Sequence, residues 1–277
     1  MTAGSQDSAR KYVEASYDRQ PQREWERMDR HRTEFAVTLR AMGDYLPSPP
    51  AQVLDCGGGP GRYAIELARR GYDVTLFDLS AECLRMARQK AAEANVALAG
   101  FEKGTATNLG RYSSDTFDAA LLMGPLYHLL EGAERRQALA EARRVLKPGG
   151  PLLAAFISRY AVLRYMAAHE PTWPLEHLDL LESIMTRGVL PPTGEVGSKF
   201  VAYLTHPNEV VPLCEQAGLE VARVLGVEGI VSMIEEQVNA LSGRDWEVWA
   251  DLNYALASDP SIHGCVEHLL AVAVKTC

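Results

Sequence analysis

The pattern of apolar and polar positions along the chain changes near residue 50. Before it, residues 10–42 are charged with interspersed apolar side chains, which predicts one or two amphipathic helices. No strand-like run occurs there. The proline-rich residues 46–50 then break any helix and mark a boundary.

After this boundary, short apolar runs alternate with helical patterns. The predicted strands are residues 52–56, 73–77, 97–102, 117–123, 151–158, 219–227 and 268–275. The predicted helices between them are residues 62–70, 81–94, 131–146 and 208–217, with Ser80 as the N-cap of the second. This alternation is typical of an α/β fold with a mostly parallel sheet and helices on both faces. Residues 160–205 and 230–262 are less regular and are candidates for a cap over the sheet edge.

A glycine-rich turn joins the first predicted strand to the helix that follows it. The segment reads VLDCGGGPG over residues 53–61. Such a turn lets the backbone approach a ligand closely, with helix N–H groups pointing toward it. Dinucleotides and S-adenosylmethionine (SAM) are both bound in this way. The dinucleotide fingerprint needs a small residue at its sixth place, where this chain has Arg62, so NAD is the weaker alternative.

An aspartate closes the second predicted strand. Asp78 follows Gly61 by 17 positions, and a carboxylate there can accept hydrogen bonds from both ribose hydroxyls of an adenosine moiety. A helix cap or a solvated strand end is the structural alternative for this residue. The nearby glycine turn favours the ligand-binding interpretation.

Composition narrows the possible functions. The net charge of −8 argues against a nucleic-acid-binding surface spread over the whole protein. The five cysteines are scattered without a CxxC pair, and the histidines show no metal-ligand spacing, so no disulfide framework or metal site is predicted. The polar N-terminus does not resemble a signal peptide, and no apolar run reaches the roughly 20 residues that span a bilayer. These features predict a cytoplasmic protein without membrane contact, either a monomer or a homodimer.

Three segments together resemble a known family. The string VLDCGGGPGRYAIELARRGYDVTLFDLS is similar to the motif I and motif II region of class I SAM-dependent methyltransferases, in particular the bacterial UbiE/SmtA-like small-molecule group. The strings FDAALLMGPLYHL (residues 117–129) and EARRVLKPGG (residues 141–150) look like that family's fourth strand and the helix and turn before its fifth. The resemblance covers residues 50–158 well.

The resemblance implies a fold and a division of the chain. The fold would be a Rossmann-like, seven-stranded, mostly parallel sheet with helices on both faces, an antiparallel last strand and a mainly helical cap. Residues 1–50 would cover the cofactor site, residues 51–158 would form the SAM-binding core, and residues 159–205 would form a lid that binds the substrate. Residues 206–277 would complete the sheet, with a helical insertion at about 230–262.

The resemblance also implies a cofactor site. Its residues around the methionine part of SAM would be Asp55, Gly57, Gly59 and Gly61. Asp78 would hold the ribose, Leu79 would flank the adenine, and Met123 would lie beside the cofactor. Tyr17 belongs to the N-terminal helix, which folds over SAM in similar enzymes.

One departure from the family concerns the adenine. Many members have an acidic residue after the glycine that follows the third strand, whereas this chain reads Lys-Gly-Thr-Ala over residues 103–106. Thr105 can still accept a hydrogen bond, and the Ala106 backbone can still serve the adenine ring. The adenine contact is therefore the part of the predicted site that departs from the family's pattern.

The string GPLYHL after the fourth strand should face the transferred methyl group, since ligands lie beyond the carboxyl ends of parallel strands. Tyr127 could line the acceptor pocket or place its ring near the sulfonium, and His128 could act as a general base. The alternative is that Tyr127 packs under the loop and His128 binds a neighbouring backbone group. Methyl transfer needs a base only when the acceptor must first lose a proton.

Candidate substrate-binding residues come from the flanking segments. Arg159, after the fifth strand, could bind an acidic acceptor, although a solvated arginine is the more usual explanation. The remaining candidates are Tyr12, Trp173, Tyr203 and His206. The leading hypothesis is thus a SAM-dependent methyltransferase acting on an O, N or S atom of a small molecule. A non-catalytic SAM-binding sensor and an NAD-dependent oxidoreductase are the alternatives.

Overall fold

The structure, a computed structural model, describes residues 3–191 and 200–276, and side chains in the first helix from Ala9 onward. The glycine- and proline-rich part of the predicted lid, residues 192–199, lies outside this description. The helices are α1 (Ala3–Arg19), α2 (Pro21–Arg30), α3 (Arg32–Tyr45), α4 (Arg62–Arg69), α5 (Ala81–Glu93), α6 (Pro125–His128), α7 (Gly132–Val145), α8 (Ala161–His169), α9 (Trp173–Glu176), α10 (Leu178–Arg187), α11 (Pro207–Gln216), α12 (Glu236–Asn239) and α13 (Gly243–Leu256). Within the described residues, no helix has the length and apolar character needed to cross a membrane.

A single twisted sheet forms the centre of the fold. Its strands are β1 (Gln52–Cys56), β2 (Asp73–Asp78), β3 (Gly100–Lys103), β4 (Ala119–Leu122), β5 (Pro151–Ser158), β6 (Val189–Leu190), β7 (Ala202–Thr205), β8 (Leu219–Gly226) and β9 (His268–Lys275). The strands β3, β2, β1, β4 and β5 are neighbours in that order and run parallel. Strand β9 lies antiparallel to β5 and carries β8 at the far edge. The predicted α/β class, with an antiparallel last strand, is confirmed.

Two short strands extend the seven that were predicted. Strand β7 pairs in parallel with the end of β5, at Ile157 and Ser158, and β6 pairs antiparallel with β7. Both belong to the predicted lid, so part of that segment joins the main sheet. This segment is therefore anchored at the carboxyl end of β5.

The sheet buries both of its faces, because alternate residues of each strand point to opposite sides. On one face, Leu54 and Leu122 pack with helix α7 through Leu139. On the other, Val53 and Leu121 belong to a second apolar cluster that includes residues of α3, α4 and α5. Burial on both faces explains why these strands read as continuous apolar runs.

The N-terminal segment forms three helices, where one or two were predicted. A single residue, Gln20, separates α1 from α2, and His31 separates α2 from α3. The strand ends also differ slightly from prediction. The third strand starts at Gly100 and not at residue 97, and the fourth is trimmed to Ala119–Leu122.

A buried ionic cluster fastens this N-terminal segment to the last strand. Arg27 of α2 donates to both carboxylate oxygens of Glu34 of α3, at 3.0 and 2.7 Å. Its Nη2 also lies 3.2 Å from Nε2 of His268, the first residue of β9. On its other side, Nδ1 of His268 lies 2.6 Å from a carboxylate oxygen of Glu228, which is fully buried. The helices thus depend on matched charges as well as on apolar packing.

We expect Glu34→Ala to lower the free energy of unfolding by about 3 kcal/mol, because it leaves the largely buried Arg27 guanidinium without its carboxylate. Urea unfolding monitored by circular dichroism measures the change. Glu26→Ala on the exposed face of α2 is the matched control and should change stability by less than about 0.5 kcal/mol. Equal effects of the two variants would show that the buried pair does not stabilise the fold.

Candidate active site

A cavity of about 370 Å³ opens at the carboxyl ends of β1, β2 and β4. Ligands of open α/β sheets bind at this edge. Predicted site residues that line it are Tyr17, Gly57, Gly59, Asp78, Leu79, Thr105, Ala106, Met123, Tyr127 and His128. Residues far apart in the sequence are therefore brought together by helix α1, the glycine turn and the loops after β2, β3 and β4.

The glycine turn adopts a backbone conformation that other residues rarely take. Gly57 and Gly59 have φ angles of 77° and 54°. A Cβ atom at Gly57 would lie 2.3 Å from the Pro125 ring, whereas one at Gly59 would meet no atom within 4 Å. Gly57 thus permits close packing against the loop after β4, and Gly59 leaves open space on the cavity wall.

The Asp78 carboxylate accepts hydrogen bonds from two backbone amides, one in the glycine turn and one after β2. Its Oδ2 accepts a hydrogen bond from the Gly59 amide at 2.8 Å, and its Oδ1 accepts one from the Ser80 amide at 2.7 Å. Burial raises the pKa of Asp78 to about 6, although these two hydrogen bonds act to lower it. A carboxylate has lone pairs beyond these two bonds, and Asp78 lines the cavity. It can therefore receive a ligand donor while it holds the turn.

Asp55 and Gly61 do not line the cavity. Asp55 is fully buried under the turn, and neither of its carboxylate oxygens has a hydrogen-bond partner within the described residues. Burial and then the negative charge of Asp78 raise the pKa of Asp55 to about 7. Gly61 is the N-cap of α4 in the left-handed conformation. Both residues support the turn from behind.

His128 and Tyr17 are joined across the cavity. The Nδ1 atom of His128 lies 2.8 Å from the carbonyl oxygen of Val201, so it carries the proton and donates it. Its Nε2 atom, 2.7 Å from the Tyr17 hydroxyl, is then the acceptor. Burial lowers the pKa of His128 to about 4, so the ring is neutral at pH 7. The lone pair required of a general base is occupied by the Tyr17 hydroxyl.

Tyr127 lies beside His128, with the two ring centroids 4.8 Å apart. The Tyr127 ring is also 6.4 Å from that of His268, in the buried ionic cluster. Burial raises the pKa of the Tyr127 hydroxyl, so it remains protonated at neutral pH. Tyr127 therefore presents an uncharged aromatic wall to the cavity.

Three of the predicted substrate-binding residues surround Glu209 of α11 and do not line the cavity. Arg159 donates to Glu209 Oε1 at 2.7 Å, and the Tyr203 hydroxyl donates to Oε2 at 2.7 Å. His206 caps α11 by accepting a hydrogen bond from the Asn208 amide. In the structure these side chains hold the junction between β7 and α11 together.

The other two predicted substrate-binding residues also lie outside the cavity lining. Trp173 is buried among apolar residues of the predicted lid. Tyr12 packs against a small cluster formed by Val13, Leu130 and Val201. Their observed positions assign them to packing between segments.

Sequence reasoning missed several residues that line the cavity. These are Ala9, Arg10, Val13, Glu24, Met28, Cys56, Gly58, Pro60, Arg62, Tyr63, Phe77, Gly104, Thr107, Leu130, Glu131 and Glu134. Gly124, Pro125 and Leu129 also line the cavity, and they belong to the GPLYHL string that was expected to face the methyl group. Those adjoining the glycine turn and the GPLYHL string could have been found by extending each motif to its neighbours. The α1 and α2 residues gave no local signal, because their approach depends on how the N-terminal segment folds back.

The cavity residues fit SAM. The volume lies within the usual range for small-molecule sites. The cavity wall includes carboxylates at Glu24 and Asp78, and Asp55 lies just beneath it, which suits a cationic sulfonium better than a pyrophosphate. Together the fold and the cavity define a Rossmann-like α/β protein with a ligand site at the carboxyl edge of its sheet.

Comparison with known proteins points to methyltransferases. Residues 53–150 match the model of a methyltransferase domain family. The ubiquinone biosynthesis O-methyltransferase of Paracidovorax citrulli is 29% identical over 217 residues, covering 78% of this chain and 76% of that protein. The tRNA 5-carboxymethoxyuridine methyltransferase of Escherichia coli is 38% identical over 121 residues, covering 41% and 43% of the two chains.

A solved structure shows the same fold. The SAM-dependent methyltransferase from Methanosarcina mazei superposes with a TM-score of 0.58 at 22% identity, covering 85% of this chain and 97% of that one. These matches support a class I SAM-dependent methyltransferase, as the three sequence segments predicted. Its cofactor is SAM.

We expect Asp55→Asn to remove a pH dependence of stability. The unfolded-state pKa of an aspartate is about 4, whereas burial raises that of Asp55 to about 7 in the folded protein. The stabilising contribution is complete below the unfolded value and is lost as the pH rises through the folded value. The free energy of unfolding of the wild type, relative to the variant, should fall by roughly 2–4 kcal/mol between about pH 4 and about pH 8.

Urea unfolding of the ligand-free protein across this pH range measures the difference. Asp118→Asn is a control of opposite sign, because Lys147 holds the pKa of Asp118 below its ordinary value. In that comparison the wild type should lose stability as the pH falls. A flat difference for Asp55→Asn would mean that its carboxylate is solvated in the folded protein.

Proposed function

We propose that this enzyme transfers the methyl group of SAM to an O, N or S atom of a small molecule by direct in-line displacement. The observation that carries the proposal is the hydrogen bond between Tyr17 and His128, which spans the cavity where the methyl group would face its acceptor. It places helix α1 over the reaction site. A covered site excludes water and suits a small acceptor.

The charges around the cavity support the same conclusion. Its ionisable lining residues include four carboxylates, those of Glu24, Asp78, Glu131 and Glu134, and two arginines. A nucleic-acid site needs clustered basic residues to contact phosphates. The net charge of −8 for the whole chain points the same way.

Each cofactor group has a proposed partner among the lining residues. Asp78 holds the ribose hydroxyls, Leu79 flanks the adenine, and Thr105 and Ala106 serve its polar edge. The backbone of Gly57 and Gly59 and the side chains of Met123 and Tyr17 surround the methionine part. Asp55 and Gly61 shape the turn without contacting the cofactor.

The acceptor lies beside Tyr127 and the hydrogen-bonded pair of Tyr17 and His128. Bound SAM supplies an electrophilic methyl group, and the protein's task is to hold an acceptor lone pair in line with it. The Tyr17 oxygen can accept a hydrogen bond from the acceptor while its own proton points to His128. These residues orient the acceptor, and residues 1–50 cover the site.

A tRNA acceptor is the second candidate, favoured by the identity of 38% to the Escherichia coli tRNA methyltransferase. That similarity extends over 41% of this chain and 43% of that protein, so more than half of each is unmatched. The acidic cavity lining argues against it.

The proposal is tested by calorimetric titration with SAM, S-adenosylhomocysteine and NAD, followed by a screen for S-adenosylhomocysteine formation. The acceptor panel contains phenols, carboxylic acids, amines, thiols and unmodified tRNA. We expect SAM binding and turnover with at least one small acceptor. Turnover with tRNA alone would contradict the proposal, and SAM binding without any turnover would favour a sensor.

We expect Asp78→Ala to weaken SAM binding by about 1–3 kcal/mol, the cost of leaving buried polar groups without a partner. Isothermal titration calorimetry measures the affinity. Asp73→Ala, at the exposed start of the same strand, is the matched control and should bind SAM like the wild type. Unchanged affinity for Asp78→Ala would rule out its assignment to the ribose.

A further inference from the structure

One carboxylate on the cavity wall has no role in the site described so far. Glu24 of α2 is half-buried and lines the cavity. Within the described residues its side chain has no hydrogen bond or ion pair. Burial raises its pKa, although Arg27, Arg23 and Arg30 on the same helix act to lower it. A partly desolvated carboxylate without a partner is costly unless a ligand supplies one.

The first turn of α4 forms one end of the cavity. Contacts between this turn and the residues next to Glu24 place Glu24 at that end. The Arg62 guanidinium donates to the Trp25 carbonyl at 3.1 Å and to Asp29 at 2.8 Å. It also lies over the Trp25 ring, 4.7 Å from the centroid. Arg62 therefore fixes the turn of α2 that carries Glu24 against the helix following the glycine turn.

A second contact holds the same part of α2. The Tyr63 hydroxyl donates to the sulfur of Met28 at 3.7 Å, and both residues line the cavity. The glycine turn and the first turn of α4 thus face residues of α2 across this end of the cavity. The ribose partner Asp78 and the adenine-side residues belong to the loops after β2 and β3. A SAM molecule held there extends its amino-acid end toward α2.

We propose that Glu24 binds the α-ammonium group of the methionine part of SAM, with Arg62 as its positioning residue. A carboxylate and an ammonium form a charge-assisted hydrogen bond, which is stronger in a partly desolvated site. The charge of Glu24 also acts on Tyr17 and Tyr127, whose pKa values it raises, so it lies near the residues beside the methyl group. This inference rests on SAM being the donor and names a contact beyond those proposed above.

The test compares S-adenosylhomocysteine with its desamino analogue, in which hydrogen replaces the ammonium group and the carboxylate is kept. We expect Glu24→Gln to weaken binding of S-adenosylhomocysteine by about 10-fold to 100-fold, the range for a hydrogen bond between charged groups. Binding of the desamino analogue should be unchanged, which also shows that the variant is folded. The wild type should prefer S-adenosylhomocysteine by a similar factor, and the variant should not.

Glu26→Gln is the matched control, since it removes the same charge from an exposed position of the same helix. It should leave both affinities unchanged. Equal weakening of both ligands by Glu24→Gln, or no weakening of either, would overturn the assignment. If the wild type binds neither ligand, the assignment of SAM as the methyl donor is wrong. That result would be distinct from a failure of the Glu24 assignment.

Discussion

The hydrogen bond from the Gly59 amide to the Asp78 carboxylate, 2.8 Å long, is the contact on which the site depends. It ties the turn after β1 to the end of β2. A second hydrogen bond, from the Gly57 amide to the Phe77 carbonyl at 2.7 Å, fixes the same turn. The backbone is therefore shaped before any ligand arrives, which lowers the ordering cost of binding.

The same region concentrates negative charge in a poorly solvated place. Burial raises the pKa of both Asp55 and Asp78, and the charge of Asp78 raises that of Asp55 further. Either carboxylate is stabilised in its charged form by a nearby cation. A sulfonium cofactor provides that cation, whereas the pyrophosphate of NAD would add to the repulsion. This electrostatic argument separates the two cofactors independently of Arg62, the residue that departs from the dinucleotide fingerprint.

The sequence predicted those parts of the fold and the site that depend on contacts between residues close together in the chain. Strands β1, β5 and β9 have the predicted bounds because each is a continuous apolar run with clear ends. Gly57, Gly59 and Asp78 line the cavity where the sequence placed a ligand, since their geometry is set within the local unit of β1, the turn, α4 and β2. Arg159 and Tyr203 could not be placed, because both bind Glu209 of α11, and these three side chains meet only in the folded chain. Glu24 was missed for the same reason.

The state of His128 limits the chemistry that the site can perform. Its Nδ1 proton is committed to the Val201 carbonyl and its Nε2 lone pair to the Tyr17 hydroxyl, so both ring nitrogens are already engaged. A histidine with a pKa of about 4 is a weak base at neutral pH. Methyl transfer tolerates this, because an acceptor O–H or N–H becomes strongly acidic as its heteroatom bonds to the methyl group. The proton can then pass to water, or to the Tyr17 oxygen as Tyr17 gives its own proton to Nε2 of His128, late in the reaction. The hydrogen-bonded pair needs only to hold the acceptor in line.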